Sequence, residues 1–248
     1  MIRLGETLSA MAEKRGSHQA RSVVLAGVFL AINLAGTMAY AAGTDGQEER
    51  KRFLAHIQEV NASPAERQEA LAAGRRRSVL CSYCHGKDGN SLKPDIPNLA
   101  GQNPTYLLQQ IEKFADGRRK NFVMQTLAKD FSMADKVNLA VYFSQQKVKP
   151  VAVDPALAKE GERIYDSVCK ICHGLDGHGE EGYARLAGQK PEYVRITLKR
   201  FRANAQRKLR PEEVLRSDAR MEQMTQHLSD ADVNALAAYI ATLRPKGH

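Results

Sequence analysis

The sequence predicts an all-α fold built twice in tandem. Three observations carry that reading: a long internal repeat, apolar residues at helical spacing in both copies, and no period-two run long enough to demand a sheet. HGKDGN at 85–90 matches HGLDGHG at 173–179. NLAGQNPTYLLQQIEKF at 98–114 matches RLAGQKPEYVRITLKRF at 185–201, and MQTLAKDFSMADKVNLAVYF at 124–143 matches MEQMTQHLSDADVNALAAYI at 221–240. The offset grows from 87 to 97 between Phe201 and Met221, so the second copy carries a ten-residue insertion there.

Each copy opens on Cys-x-x-Cys-His: CSYCH from Cys81 to His85 and CKICH from Cys169 to His173. This is the attachment pattern of c-type haem. Two thiols three residues apart share one helical face and can form thioethers with the two vinyl groups of one haem. The next residue, histidine, then lies beneath the iron as proximal ligand. The motifs use all 4 cysteines of the chain. A zinc ribbon spaces its pairs about 15–20 residues apart, whereas these start 88 apart, and a thioredoxin-like dithiol wants a βαβ context that is absent. The expected cofactors are two covalent haem c groups. Each unit has little apolar core of its own, so the haem-free chain is expected to fold poorly.

The elements follow in order. Arg3, Lys14, Arg15 and Arg21 precede an apolar run from Val23 to Ala42, broken only by Asn33 and Thr37, and Ala39-Tyr40-Ala41 has the small-x-small form of a cleavage site. Residues 1–41 read as a secretory signal peptide; the alternative is an uncleaved membrane anchor. Either way the bulk of the chain is exported. Residues 42–62 form a polar leader with Phe53, Leu54 and Ile57 as a weak stripe, read as a short helix or a mobile segment, with His56 on its surface.

Ser63-Pro64 starts the first domain, residues 63–147, with an N-cap serine and a proline at the first helical position. That helix is expected to run through Leu71, Gly74, Val79 and Leu80 to Cys81, with Arg75-Arg76-Arg77 on a solvated face or in a docking patch. Residues 148–153 read as a linker, within the stretch KVKPVAVDP at 147–155 that holds two prolines and no helical period. The second domain, 154–248, opens alike on Asp154-Pro155, then Ala158, Gly161, Ile164, Tyr165 and Val168. Leu107, Ile111 and Phe114 mark the next helix of the first unit; Val194, Thr197, Leu198 and Phe201 mark it in the second. Ser132 with Asp135 and Ser229 with Asp232 predict capping boxes on the last helices. Their inward faces carry Leu139, Ala140 and Phe143, then Leu236, Ala237 and Ile240.

The residue opposite each histidine decides the chemistry. An open haem binds gases or peroxide, whereas one closed by methionine passes electrons at a raised potential. Met124 and Met133 compete in the first unit. Met133 sits just after a helix cap, and Met124 lies in the loop-like GRRKNFVM with room to fold over the haem. In the second unit Met221 aligns with Met124, and Met224 aligns with Leu127 and reads as core. His178, in a glycine-rich loop, is not expected to ligate.

Taken together, the two CHG-x-DG stretches, the two LAGQ-x-P-x-Y stretches, the late methionines and the (L/F)S-x-x-D…A-x-Y helices resemble the dihaem class I cytochromes c of the cytochrome c4 family, over about residues 64–245. The resemblance implies two tandem cytochrome c domains facing each other, each a small helical fold around a covalent haem. It also implies His85 with Met124 on one iron and His173 with Met221 on the other. In that family a proline carbonyl before x-Leu-Ala-Gly orients the proximal histidine. Pro97 fills that place in the first unit and Ala184 in the second, which implies a less rigid loop with ligation kept.

The formal charge is +9, and residues 42–248 keep +7. Such a surface suits acidic docking faces on redox proteins, or peripheral contact with an anionic membrane. No nucleic-acid motif accompanies the charge, and no small-molecule substrate is expected. The expected function is an exported, periplasmic carrier between a respiratory donor (a quinol-oxidising complex or a dehydrogenase) and a terminal oxidase. The alternatives are a bound electron-transfer subunit of a larger oxidoreductase, and a dihaem peroxidase or sulfur-compound dehydrogenase. The insertion at 202–220, dense in arginine and lysine, reads as a solvated excursion or a docking element.

Overall fold

A computed structural model describes residues 48, 51–179 and 182–244. The expected signal peptide or anchor lies outside the described residues. No described helix is long and apolar enough to cross a membrane. The described chain is helical, and its one β pairing is an isolated antiparallel bridge between Arg119 and Arg216.

The leader is helical: α1 spans 51–62. Phe53 and Ile57, one turn apart, are 0% and 4% exposed and join the first hydrophobic core. Helix α2, Pro64–Arg77, is capped by Ser63, whose side chain accepts from the Glu66 N–H. It stops at Arg77 rather than running to the cysteine. Turns follow at 78–81, where Val79 and Leu80 face outward at 61% and 49% exposure. The arginine run is not uniformly solvated either. Arg77 turns back to Asp130 and Asp135 at 3.3 and 3.4 Å and lies 4.7 Å over the Phe131 ring.

Helix α3, Ser82–His85, carries the first Cys-x-x-Cys-His motif. Three helices complete the unit: α4, Pro104–Ala115; α5, Phe122–Asp130; and α6, Met133–Ser144. The second unit repeats the order with α7, Pro155–Ile164; α8, Lys170–His173; α9, Pro191–Ala205; α10, Ala219–Thr225; and α11, Asp230–Thr242. A π-helical turn, Tyr165–Cys169, joins α7 to α8 where the first unit has plain turns. Both predicted capping boxes are present, at Ser132/Asp135 and Ser229/Asp232.

Each unit has its own core where its first and last long helices cross. Leu107, Leu108, Leu139, Ala140 and Phe143 fill the first; Ile164, Tyr165, Leu198, Leu236 and Ile240 fill the second. The predicted apolar faces are therefore the buried ones. Residues 147–153 have no regular structure but are held in place: the Asn90 side chain donates to the Lys147 carbonyl at 2.8 Å and accepts from the Lys149 N–H at 2.9 Å.

The two units meet through repeat-equivalent groups. The Gln102 amide accepts from the Arg185 N–H at 2.6 Å and donates to the Arg185 carbonyl at 2.9 Å. The Gln189 amide does the same with Asn98, at 2.7 and 3.0 Å. These side chains are buried, and each pair satisfies an N–H and a C=O that would otherwise be left dry. Arg185 itself is 1% exposed and donates to the carbonyls of Ala100 and Ala187.

The inserted segment turns back to this junction. After a 3₁₀ turn at Pro211–Glu213 its chain returns to the first unit, where the Lys120 N–H donates to the Leu215 carbonyl at 2.6 Å.

Candidate functional site

The site is built from one short helix and one loop in each unit. Helix α3 ends at His85, and Gly86 follows at φ +80°; Gly174 follows His173 at φ +79°. That left-handed turn favours glycine, and a Cβ on Gly86 would meet the Asn90 carbonyl. The CHG triplet thus reverses the chain directly behind the imidazole.

Both imidazoles are buried, at 9% and 8% exposure. His85 Nδ1 lies 2.9 Å from the Pro97 carbonyl, and His173 Nδ1 lies 2.8 Å from the Ala184 carbonyl. A carbonyl only accepts, so Nδ1 carries the proton and Nε2 keeps its lone pair for a metal. Burial lowers both imidazoles below the usual histidine range, although the carbonyl bonds oppose it. Alanine at 184 serves as well as proline at 97, because the contact uses backbone.

The four cysteines form no disulfide. Burial pushes the Cys81 and Cys169 thiols up to about 11, so neither is poised as a free thiolate. The residues between the cysteines are turned to solvent: Tyr83 is 81% and Ile171 78% exposed.

Met124 is not in a loop. It is the third residue of α5, and its N–H donates to the capping Asn121 side chain at 3.0 Å. Met221 is the third residue of α10, and its N–H donates to Asp218 at 3.1 Å. Two helices of the same cap and register therefore present the two methionines. Met221 packs against the second core. Met224, expected in that core, is instead 46% exposed: Met221 and Thr225, four residues apart, hold the inner face of α10 and Met224 lies off it. Met133 also faces outward, at 39%. His178 binds through its backbone N–H to Asp176.

The residues present fit haem c. The donor set in each unit is two thiols, one imidazole with a free Nε2, and one thioether. Eight of the twelve large hydrophobic side chains exposed among the described residues lie within three positions of those donors in sequence: Val79, Leu80, Tyr83, Phe122, Val123, Ile171, Leu175 and Met224.

The sequence did not point to a quartet between the units. Tyr193 Oη lies 3.1 Å from an Arg119 guanidinium nitrogen and 3.2 Å from one of Arg216, and Arg216 also reaches Tyr106 Oη at 2.6 Å. The phenols lie 87 apart and the arginines 97 apart, the two offsets of the repeat. Repeat-equivalent polar residues beside each ligand loop were the available signal.

The cytochrome c family profile matches residues 158–244. Over 191 residues the chain is 35% identical to cytochrome c4 of Azotobacter vinelandii, covering 69% of this chain and 88% of that one. It also resembles the crystal structure of reduced recombinant cytochrome c4 from Pseudomonas stutzeri, with a TM-score of 0.61 and 33% identity over 70% of this chain and 98% of that chain. A thiosulfate dehydrogenase electron acceptor of Thiomonas intermedia is 34% identical over 154 residues, covering 57% of this chain and 69% of that one.

Proposed function

Since the chain belongs to the cytochrome c4 family, class I electron-transfer cytochromes with two covalently bound haem c groups, we propose that it is an exported, periplasmic carrier. It takes electrons from a quinol-oxidising complex or a dehydrogenase and passes them to a terminal oxidase. Cys81 and Cys84 hold one haem by thioether bonds, with His85 and Met124 on its iron. Cys169 and Cys172 hold the other, with His173 and Met221. Bound there, haem supplies reversible one-electron exchange between ferric and ferrous iron.

The chain's own part is fixed geometry. The carbonyls of Pro97 and Ala184 set the plane of each imidazole and keep Nε2 directed away from them. The thioethers of Met124 and Met221 close the positions that oxygen or peroxide would need, and favour the reduced state. No bond of a substrate is made or broken. Net charge of +7 over residues 42–248 suits partners with acidic docking faces and peripheral contact with anionic lipid.

The observation that carries this reading is the matched placing of Met124 and Met221 at the third position of equivalent capped helices. The test is the far-red ferric band of a methionine–iron bond in wild type, Met124→Ala and Met221→Ala. Loss of about half the band in each variant supports two closed haems. An unchanged band in either variant moves that haem to open or other ligation, and with it the peroxidase or dehydrogenase reading.

A second reading rests on the thiosulfate dehydrogenase electron acceptor among the relatives: service to a sulfur-compound dehydrogenase, as its acceptor or bound subunit. Size exclusion of native extract separates a free carrier from the bound subunit. Elution at the mass of one or two chains supports the free carrier, and co-elution with a dehydrogenase supports the subunit.

A further inference from the structure

Helix α9 ends in a way that its counterpart in the first unit does not. The Lys208 N–H donates to the Ala203 carbonyl at 3.0 Å and the Arg207 N–H to the Asn204 carbonyl at 2.9 Å. That pair of bonds closes a helix through one left-handed residue. Here the residue is Arg207, at φ +52°, the only non-glycine residue with positive φ among the described residues. The first unit closes the equivalent helix, α4, with Gly117 at φ +83°. Glycine takes this conformation freely, whereas a side chain there crowds its own backbone. Nor does the helix dipole need a cation at this position, since Arg202 already stands in the last turn of α9.

The turn belongs to the inserted segment and is held rather than loose. The Asn204 side chain donates to the Arg216 carbonyl at 2.8 Å and to a Glu222 carboxylate oxygen at 3.2 Å. The Gln206 side chain donates to the Gln226 carbonyl at 2.8 Å. Glu222 and Gln226 tie the turn to α10 and its C-terminal cap, and Met221 is the third residue of that helix.

Charge around the turn is divided. Lys199 and Arg202 are answered by Asp230, and Arg210 by Glu212 and Glu213. Arg200, Arg207 and Lys208 are exposed and form no ion pair among the described residues.

We propose that this end of α9 is a docking site for an acidic face of a redox protein, with Arg207 and Lys208 as its contacts, and that the partner is seated beside α10. The site rests on the carrier reading of the chain and adds where a partner meets it. A cation kept at conformational cost, with its charge unanswered, is accounted for by a carboxylate supplied from outside. A lipid surface fits less well. Glu212 and Glu213 are exposed on the same excursion, and a flat anionic sheet would meet them too.

The test compares the haem-loaded full-length protein with Arg207→Gly/Lys208→Gln and with Arg75→Gln/Arg76→Gln. The second pair removes the same charge from exposed residues of the first domain. An oligoglutamate peptide carrying a far-red dye is titrated at low salt and read by fluorescence anisotropy. The first variant is expected to bind it about fivefold more weakly, and the second to bind it nearly as wild type does. Unchanged binding in the first variant, or an equal loss in both, overturns the proposal. So does lost binding to phosphatidylglycerol vesicles with peptide binding kept, which assigns the turn to lipid. Oxidation of the reduced wild type by native membranes tests the carrier reading separately. Its failure removes that reading and leaves the peptide to decide the site.

Arg207→Gly alone is expected to keep two haems and to melt no lower than wild type, since glycine suits the left-handed turn. If it melts lower, Lys208→Gln carries the titration with the end of α9 intact, and full-strength peptide binding there overturns the proposal.

Discussion

Gly161 of α7 lies directly against the backbone carbonyl of Ala235 of α11, with no room for a Cβ between them. Gly74 and Asn138 stand in the same relation where α2 crosses α6. In each domain this contact lets the first long helix settle onto the last, and the core forms around that crossing. Gly161→Ala is therefore expected to cost about 1–3 kcal/mol despite alanine's better helix propensity. Gly74→Ala should do the same in the first domain. Denaturant unfolding followed by helical circular dichroism measures both losses. Unchanged midpoints would mean that the helices separate without cost.

The outward methionines give the complementary test of ligation. Met133→Leu and Met224→Leu should leave the far-red ferric band at full strength, because Met124 and Met221, and not these residues, hold the matched third position of the capped helices α5 and α10. Stability should change by less than about 0.5 kcal/mol. A band that weakens in either variant would reassign the ligand of that haem.

Pro97→Ala should keep the His85 contact, since Ala184 already provides the equivalent carbonyl at 2.8 Å in the second domain. The absorption spectrum is expected to be unchanged, and stability to fall by about 0.4–1 kcal/mol through the freer unfolded chain. A lost or shifted band in Pro97→Ala would show that the ring itself, not its carbonyl, holds the histidine.

Phe53→Ala probes the helix ahead of the first domain. The side chain is 0% exposed and packs into the first core, so truncation is expected to cost about 3–5 kcal/mol. Thermal melting of the haem-loaded protein checks it; an unchanged midpoint would mean that α1 adds nothing to that core.

Much of this was legible because it is local. The capping boxes at Ser132 and Ser229, the Cys-x-x-Cys-His motifs and the helical stripes through Leu107 and Val194 each lie within a few residues of what they determine. The repeat then decided between Met221 and Met224 for the ligand position. Burial of Met224 was misjudged because alignment to Leu127 fixes register and not which face of a shorter helix turns inward. The stop of α2 at Arg77 also escaped, because two apolar residues before Cys81 continue the helical pattern that the chain then breaks with turns. The Arg119–Tyr193–Arg216–Tyr106 quartet was illegible for another reason. The repeat pairs its two phenols and its two arginines, but its contacts join residues 74 and 110 apart in sequence, and the repeat does not say which phenol meets which arginine.

The glutamine bridges at the junction have a wider meaning. Gln102 grips Arg185 as Gln189 grips Asn98, so the same patch on each half meets its own counterpart. That is the isologous contact by which identical subunits associate. Here both subunits sit on one chain, and the short link at 148–153 is pinned to the first half by Asn90. Association becomes an intramolecular event governed by effective concentration rather than by protein concentration. The paired state consequently survives dilution, so the two halves stay together in one isolated molecule as they do in a crowded compartment.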